Sequence, residues 1–188
     1  MDGQSFDLDA IRSLKENPNH VFFNQLQCYN FHSKGNTTFL MDAIVLGATE
    51  VDVNFNANVV THSDGRLLHG IGGWQNSLLA KCTLITIPSV RNGLPMIKDD
   101  VTTLVGPGEL IDVIVTERGI AINPHRKDLL EATEKSNLTI LSIKDLKEDA
   151  ESSCGETPEI PEFEDNIVAI IEWIDGTVLD SIWQVRNK

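Results

Sequence analysis

Polar and apolar residues alternate from Val51 to Val60. Val51, Val53, Phe55, Ala57 and Val59 fall on one side, and Asp52, Asn54, Asn56 and Asn58 on the other. A period of two is the mark of a half-buried strand, so Val51–Val60 reads as one strand with a carboxamide-rich polar face. Ser63-Asp64-Gly65 follows as a hairpin-type turn. Near-continuous apolar runs at Thr83–Val90 and Asp112–Thr116 fit strands covered on both faces. Residues 21–29 read as extended, and the tail from Asn166 to Val185 reads as two strands joined at Asp175-Gly176.

Helical signals sit between these runs. Residues 6–16 form an amphipathic pattern with Asp7 as N-cap, stopped by Asn17-Pro18-Asn19. Thr37–Leu46 is apolar enough for a buried helix, with Gly47 as its C′ residue. Trp74–Lys81 reads as one or two helical turns, and Asn123-Pro124 opens a helix that runs to about Lys135. Ser142 and Asp145 match a capping box that starts a further helix, ending near Gly155. Strands alternating with helices predict an α/β fold: a mixed, largely parallel sheet with flanking helices and an appended C-terminal β-hairpin. Residues 1–155 read as the α/β domain. Residues 156–188 read as a Pro- and Glu-rich linker plus the hairpin, packed on the same domain.

Composition narrows the function classes. Apolar content of 41% with 23% charged residues over 188 positions is globular, enough for one ordinary domain or part of a larger protein. No run approaches a membrane span, and the acidic N-terminus lacks a signal peptide's basic and apolar regions, so a cytoplasmic location without membrane contact is expected. A net charge of −13 with no Lys/Arg cluster excludes nucleic acid as partner. It also means that an anionic substrate needs local compensation. Arg66, Lys81, Arg91, Lys98 and Arg118 gather in the middle of the chain. Cys28, Cys82 and Cys154 are scattered and read as free, buried thiols. Together with the five histidines they offer no metal-ligand spacing, so no metal is expected.

The candidate chemistry lies in His69–Asn76, HGIGGWQN, directly after the carboxamide strand and its turn. Gly70, Gly72 and Gly73 carry no Cβ atoms, leaving backbone amides open to a ligand oxygen, and with Ile71 they can form an oxyanion loop or an anion nest. A helix starting at Trp74 would add positive potential. Such a loop is also an ordinary structural turn, and both readings stand at this level. Glu50, Glu109 and Glu117 are the candidate nucleophiles or electrostatic partners. Glu117 stands out because it ends an apolar strand just before Arg118-Gly119, where open α/β sheets place ligands. Asn54, Asn56 and Asn58 are either an exposed sheet face or an array of donors for a small polyacid.

The segments GATEVDVNFNANVVTHSDG, GIGG and LPMIKDDVTTLVGPGELIDVIVTERGIAINPHRKDLL, with the tail EFEDNIVAIIEWIDGTVLDSIWQV, resemble the citrate lyase α-subunit family of citrate CoA-transferases. More loosely, EVD, GIGG and VTERGIA parallel patterns in acetyl-CoA hydrolase and 4-hydroxybutyrate CoA-transferase relatives. The resemblance implies a CoA-transferase-like fold and acyl exchange: acetyl thioester plus citrate gives citryl thioester plus acetate. The thiol belongs to CoA or to the phosphoribosyl-dephospho-CoA arm of an acyl carrier protein. It is a substrate, and no covalently bound cofactor is implied.

Partners implied are the β (lyase) and γ (acyl carrier) subunits, together with citrate, acetate and CoA thioesters. The resemblance assigns Gly72, Gly73 and Ile71 to the thioester oxygen, and Glu117 and Glu50, with Asp52, to the borders of the cleft. Gly70, Asn54, Asn56, Gln75, Asn76 and Arg118 become substrate or CoA contacts. Family members run about twice this length, and the resemblance covers their C-terminal half. In the acetyl-CoA hydrolase relatives the nucleophilic glutamate lies in the other half. Trp74 stands where the family pattern has His, and Asn76 where it has Asp. Two further functions compete: a non-catalytic docking domain of the citrate lyase complex, and a hydrolase or transferase acting on another acid.

Overall fold

The computed structural model describes residues 8–20, 37–155 and 161–186. The first helix, α1, spans Leu8–Glu16. The Asp7 cap and the extended segment 21–29 lie outside the described residues. The apolar stretch Thr37–Leu46 is not a helix. Thr38–Leu40 forms a single 3-10 turn, and Ile44–Gly47 is a strand, β1. Its apolar residues satisfy either structure. The decision is made by a parallel partner, β4 (Thr83–Thr86), which pairs with β1 from Ile44↔Thr83 to Gly47↔Thr86.

The main sheet has four strands in the order β1-β4-β8-β9, where β8 is Val113–Val115 and β9 is Ile120–Ile122. The first three run parallel and β9 returns antiparallel, giving the mixed, largely parallel sheet expected. Ile85 and Ile114, register partners in the two central strands, are fully buried, but on the other face of β4 Leu84 is half-buried and Thr86 exposed, so that strand is covered on both faces only in part.

The long alternating segment does not run as one strand. It makes β2 (Glu50–Asp52), reverses over the four residues Val53–Asn56, and returns as β3 (Ala57–Asn58), paired Glu50↔Asn58 and Val51↔Ala57. Phe55 takes the left-handed position of this turn at φ 66, unusual for a bulky residue. Three contacts hold it there. Phe55 is buried in the core, and the Asp52 carboxylate accepts from the Asn54 amide (2.8 Å) and the Asn56 amide (3.0 Å). On its other side β2 pairs in parallel with β7 (Ile97–Lys98), completing a three-stranded second sheet. Before β7, strands β5 (Val90–Arg91) and β6 (Leu94–Pro95) form a tight ribbon. Its turn residues, Asn92 at φ 53 and Gly93 at φ 79, make the Asn-Gly type I′ hairpin.

Helix α2 is one short turn, Trp74–Ser77, shorter than the predicted Trp74–Lys81. Helix α3, Lys127–Thr133, begins later than Asn123-Pro124 suggests. The Asn123 side chain is buried and donates to the carbonyls of Gly108 and Ile111, both at 2.9 Å, so it braces the loop and does not cap a helix. Helix α4, Ile143–Ser152, starts as predicted: Ser142 Oγ accepts from the Asp145 amide at 3.1 Å, and the Asp145 carboxylate accepts from the Ser142 amide. Its buried Ile143 and Leu146 join the core between the two sheets.

The C-terminal hairpin pairs β10 (Phe163–Glu172) with β11 (Val178–Val185). Asp175-Gly176 makes its turn, with Gly176 at φ 91. Ile171 and Ile182 pack on Val59, Val60 and Val105 in a second cluster, and the Leu104 amide donates to Asp180 at 2.7 Å.

Candidate functional site

Strands β1, β4 and β8 end on one row, with Gly47, Thr86 and Val115 in register. This carboxyl edge is where an open α/β sheet presents its ligands. Two features meet it. Glu117 follows β8, and Trp74, next after the glycine loop, donates its indole N–H to the carbonyl of Gly47 at 3.0 Å. Gly47 and Val115 stand two strands apart, about 10 Å by the spacing of paired strands.

Glu117 is held by a polar cluster. The Ser89 amide donates to one carboxylate oxygen at 2.9 Å and the Ser89 hydroxyl donates to the other. Arg118 Nε donates to the same hydroxyl oxygen at 2.6 Å and lies 3.5 Å from Glu117, while its Nη1 reaches Asp149 at 2.8 Å. Partial burial works to raise the Glu117 carboxyl. The Ser89 donors, helped by Arg118, outweigh it and hold the group below the ordinary glutamate range. The carboxylate therefore stays ionised while about half of its side chain remains open to solvent. Ser89 is the residue that reading the sequence alone missed. The signal was present in Asn92-Gly93, which folds the chain back starting three residues beyond Ser89 and fixes that loop.

The glycine loop is open. Gly70 and Gly72 have empty space where a Cβ would stand, and Gly72 is at φ 60, a conformation favouring glycine. Among the described residues the amides of Gly72 and Gly73 donate to nothing. Ile71 packs its side chain toward the hairpin cluster, which fixes the loop's base. Trp74 lies against Gly106, where a Cβ would come within 2.5 Å of the indole ring. That ring touches both apolar clusters and ties the loop to the edge of the sheet. Gln75 and Asn76 point into the protein. Both are buried, and Gln75 donates to the Val105 carbonyl at 3.1 Å. Because α2 is one turn, it adds little dipole behind the loop.

The reversal at Phe55 redistributes the carboxamides. Asn56 is bonded on both ends: its Nδ2 donates to Asp52 at 3.0 Å and its Oδ1 accepts from the Gly108 amide at 2.8 Å. Asn58 is buried and donates to Glu50 and Thr61. Asn54 sits in the turn, partly against Gly108, and lines an apolar cavity of about 700 Å³ with Val53, Phe55 and Pro124. No ladder of amides faces outward. Glu50 and Asp52 lie inside the protein and not on an open border. Glu50 is fully buried and ion-paired with Lys98. It also accepts from the Thr102 amide (2.9 Å), the Thr102 hydroxyl (3.1 Å) and Asn58 (3.1 Å). Burial opposes ionisation of Glu50, but Lys98 and these donors keep its carboxyl below the ordinary range. Asp52 has donors but no ion-pair partner among the described residues, and burial raises it. Glu109 lies in a second 3-10 turn, Gly108–Leu110. Cys82 and Cys154 are free and half-buried, and Cys28 is outside the described residues. No described helix is long and apolar enough to cross a membrane.

The mixed sheet with its flanking helices and C-terminal hairpin makes this an α/β domain of the CoA-transferase-like kind. Residues 1–185 match the family described as citrate lyase, alpha subunit (CitF), and the chain belongs to that family. It is 40% identical over 188 residues to the citrate lyase alpha chain of Haemophilus influenzae, and 41% over 189 residues to that of Klebsiella pneumoniae. Each match spans the whole of this chain and 37% of the relative, of which it is the C-terminal part. The share is smaller than the half expected from the sequence. The crystal structure of a citrate lyase alpha subunit in complex with citrate from Streptococcus mutans superposes with a TM-score of 0.91. Identity is 39%, with 98% of this chain and 36% of that one covered.

Proposed function

We propose that this chain supplies the C-terminal part of a citrate CoA-transferase, exchanging acetyl for citryl on a CoA or carrier-protein thiol. The observation that carries the reading is the family match along almost the whole chain. The open glycine amides and the ionised Glu117 at the sheet edge support it. In the net reaction an acetyl–sulfur bond breaks and a citryl–sulfur bond forms, and acetate leaves with one oxygen from the carboxylate that attacked its carbonyl. The amides of Gly72 and Gly73 receive the carbonyl oxygen as it gains negative charge. One such donor is worth roughly 3–4 kcal/mol of barrier. Glu117 presents the carboxylate of this chain that can attack a thioester carbonyl, and Arg118 with Ser89 holds it in place. Glu50 acts from inside, fixing Thr102 and Lys98. The thioester of CoA, or of the phosphoribosyl-dephospho-CoA arm, is the substrate. The β and γ subunits are the partners, and the cytoplasm is the location.

A docking role without chemistry has one observation in its favour. Ile167, Val168, Ile170 and Val178 of the hairpin are each about half exposed. Trp173 packs on the main core while Trp183 is exposed, so burial of both tryptophans, which would weaken this reading, is not met.

The test is acyl exchange from acetyl-CoA to citrate, with this chain alone and with the N-terminal part of a related alpha chain added. Exchange in the combined sample, abolished by Glu117→Gln, supports the reading. A well-folded combined sample without exchange refutes it.

A further inference from the structure

The five cations gathered in the middle of the chain meet different fates. Arg66 pairs with Asp64, Lys81 with Asp42, Lys98 with Glu50, and Arg118 with Asp149 and Glu117. Arg91 has no carboxylate partner among the described residues. It stands on the rim of a cavity of about 370 Å³, beside Asn92, His62 and Thr49, over a floor of Leu94 and Met96. Asp64, the acidic group on this wall, is engaged by Arg66 through its side chain (3.3 Å) and its amide (3.0 Å). Glu50, which does not line the cavity, is neutralised by Lys98. The rim is therefore locally cationic on a chain whose net charge is −13.

The register of the β5–β6 ribbon ties this cavity to Glu117. Val90 faces Pro95, Arg91 faces Leu94, and the Met96 amide donates to the Ser89 carbonyl at 2.9 Å. Opposed residues of an antiparallel ribbon share a face, and next-but-one residues along each strand do too. Ser89, Arg91, Leu94 and Met96 thus lie on one face. The Ser89 hydroxyl is the group that holds the Glu117 carboxylate. Arg91 stands two residues from it, about 7 Å along the strand.

We infer that the Arg91 cavity is the subsite for the non-reacting carboxylates of a small di- or tricarboxylate, with Arg91 as its specificity-determining cation. The inference rests on the transferase reading and adds the residue that selects a polyacid over a monoacid. A guanidinium grips a carboxylate with two parallel N–H bonds, which a lysine cannot reproduce. The reacting carboxylate would extend from there toward Glu117, which Ser89 holds two residues along the strand from Arg91.

The experiment is calorimetric titration of this chain with citrate, tricarballylate, acetate and sulfate, on the wild type, Arg91→Gln and Arg91→Lys. Citrate and tricarballylate are expected to bind. Arg91→Gln should weaken both at least 10-fold, and Arg91→Lys should fall between. The melting temperature should not change, because Arg91 is exposed and has no carboxylate partner among the described residues. Three results overturn the inference: equal citrate affinity in Arg91→Gln, sulfate binding as tight as citrate, or no citrate binding by the wild type, whose described residues line the cavity. None of them touches the transferase reading, which stands or falls on acyl exchange.

Discussion

Replacing Glu50 by alanine separates a structural carboxylate from a catalytic one. Glu50 is fully buried, and Lys98 is 16% exposed, so neither charge can simply move into water. The alanine variant strands Lys98 and removes the acceptor for the Thr102 amide, the Thr102 hydroxyl and Asn58. Breaking a buried pair by deleting one partner costs about 3–5 kcal/mol. Glu50→Gln keeps an acceptor oxygen and loses the charge, for a cost of about 1–3 kcal/mol. In urea, with a slope of about 2 kcal/mol per molar, Glu50→Ala should lower the midpoint by about 2 M at unchanged slope. The pH dependence gives a second check. The folded carboxyl lies below its ordinary value of 4.5, so its contribution is present above that pH and is lost as pH falls through the folded value. The gap between wild type and Glu50→Gln should therefore close in acid. Asp52, shifted the other way, is common to both proteins and drops out of the difference. A cost below 1 kcal/mol for Glu50→Ala, or a gap that stays constant to pH 3, would refute the buried-hub reasoning.

Two other perturbations are as direct. Gly108→Ala puts a Cβ 1.9 Å from the carbonyl oxygen of Asn54 and 2.9 Å from the Asn56 amide, both backbone atoms that cannot swing away. The Phe55 turn must open, and thermal melting should show a loss of about 3 kcal/mol or more. Ser89→Ala removes the hydroxyl between Glu117 and Arg118. The Glu117 carboxyl should rise toward its ordinary value, read by NMR titration, and an unmoved titration would show that Ser89 does not hold it.

The elements legible in the sequence are those held by neighbours. The Ser142–Asp145 capping box, the Asp175-Gly176 turn and the stop at Asn17 each close within four residues, so the residue types alone specify them. The main-sheet strands at Thr83–Thr86 and Val113–Val115 were readable because continuous β-branched runs have few other uses. The carboxamide segment differs from the expected single strand because strict alternation is satisfied equally by one strand or by two strands around a four-residue turn. What selects the turn is Gly108, 52 residues from Asn56, whose missing Cβ admits the Asn54 carbonyl and whose amide bonds Asn56. Thr37–Leu46 failed for a similar reason, since its strand exists by virtue of a partner 39 residues on.

The sequence by itself determined the family, the alternation of strands and helices, the glycine loop and the motif containing Glu117. The tertiary structure decided which acidic and amide side chains are available. Glu50, Asp52, Asn56 and Asn58 are consumed by partners inside the protein, whereas Glu117 keeps an open face. The physical reason is range. Caps, turns and periodicity are set by residues within one turn or one pleat of each other. The fate of a charge depends on desolvation and on a counter-charge delivered from elsewhere in the chain, and neither is written beside it.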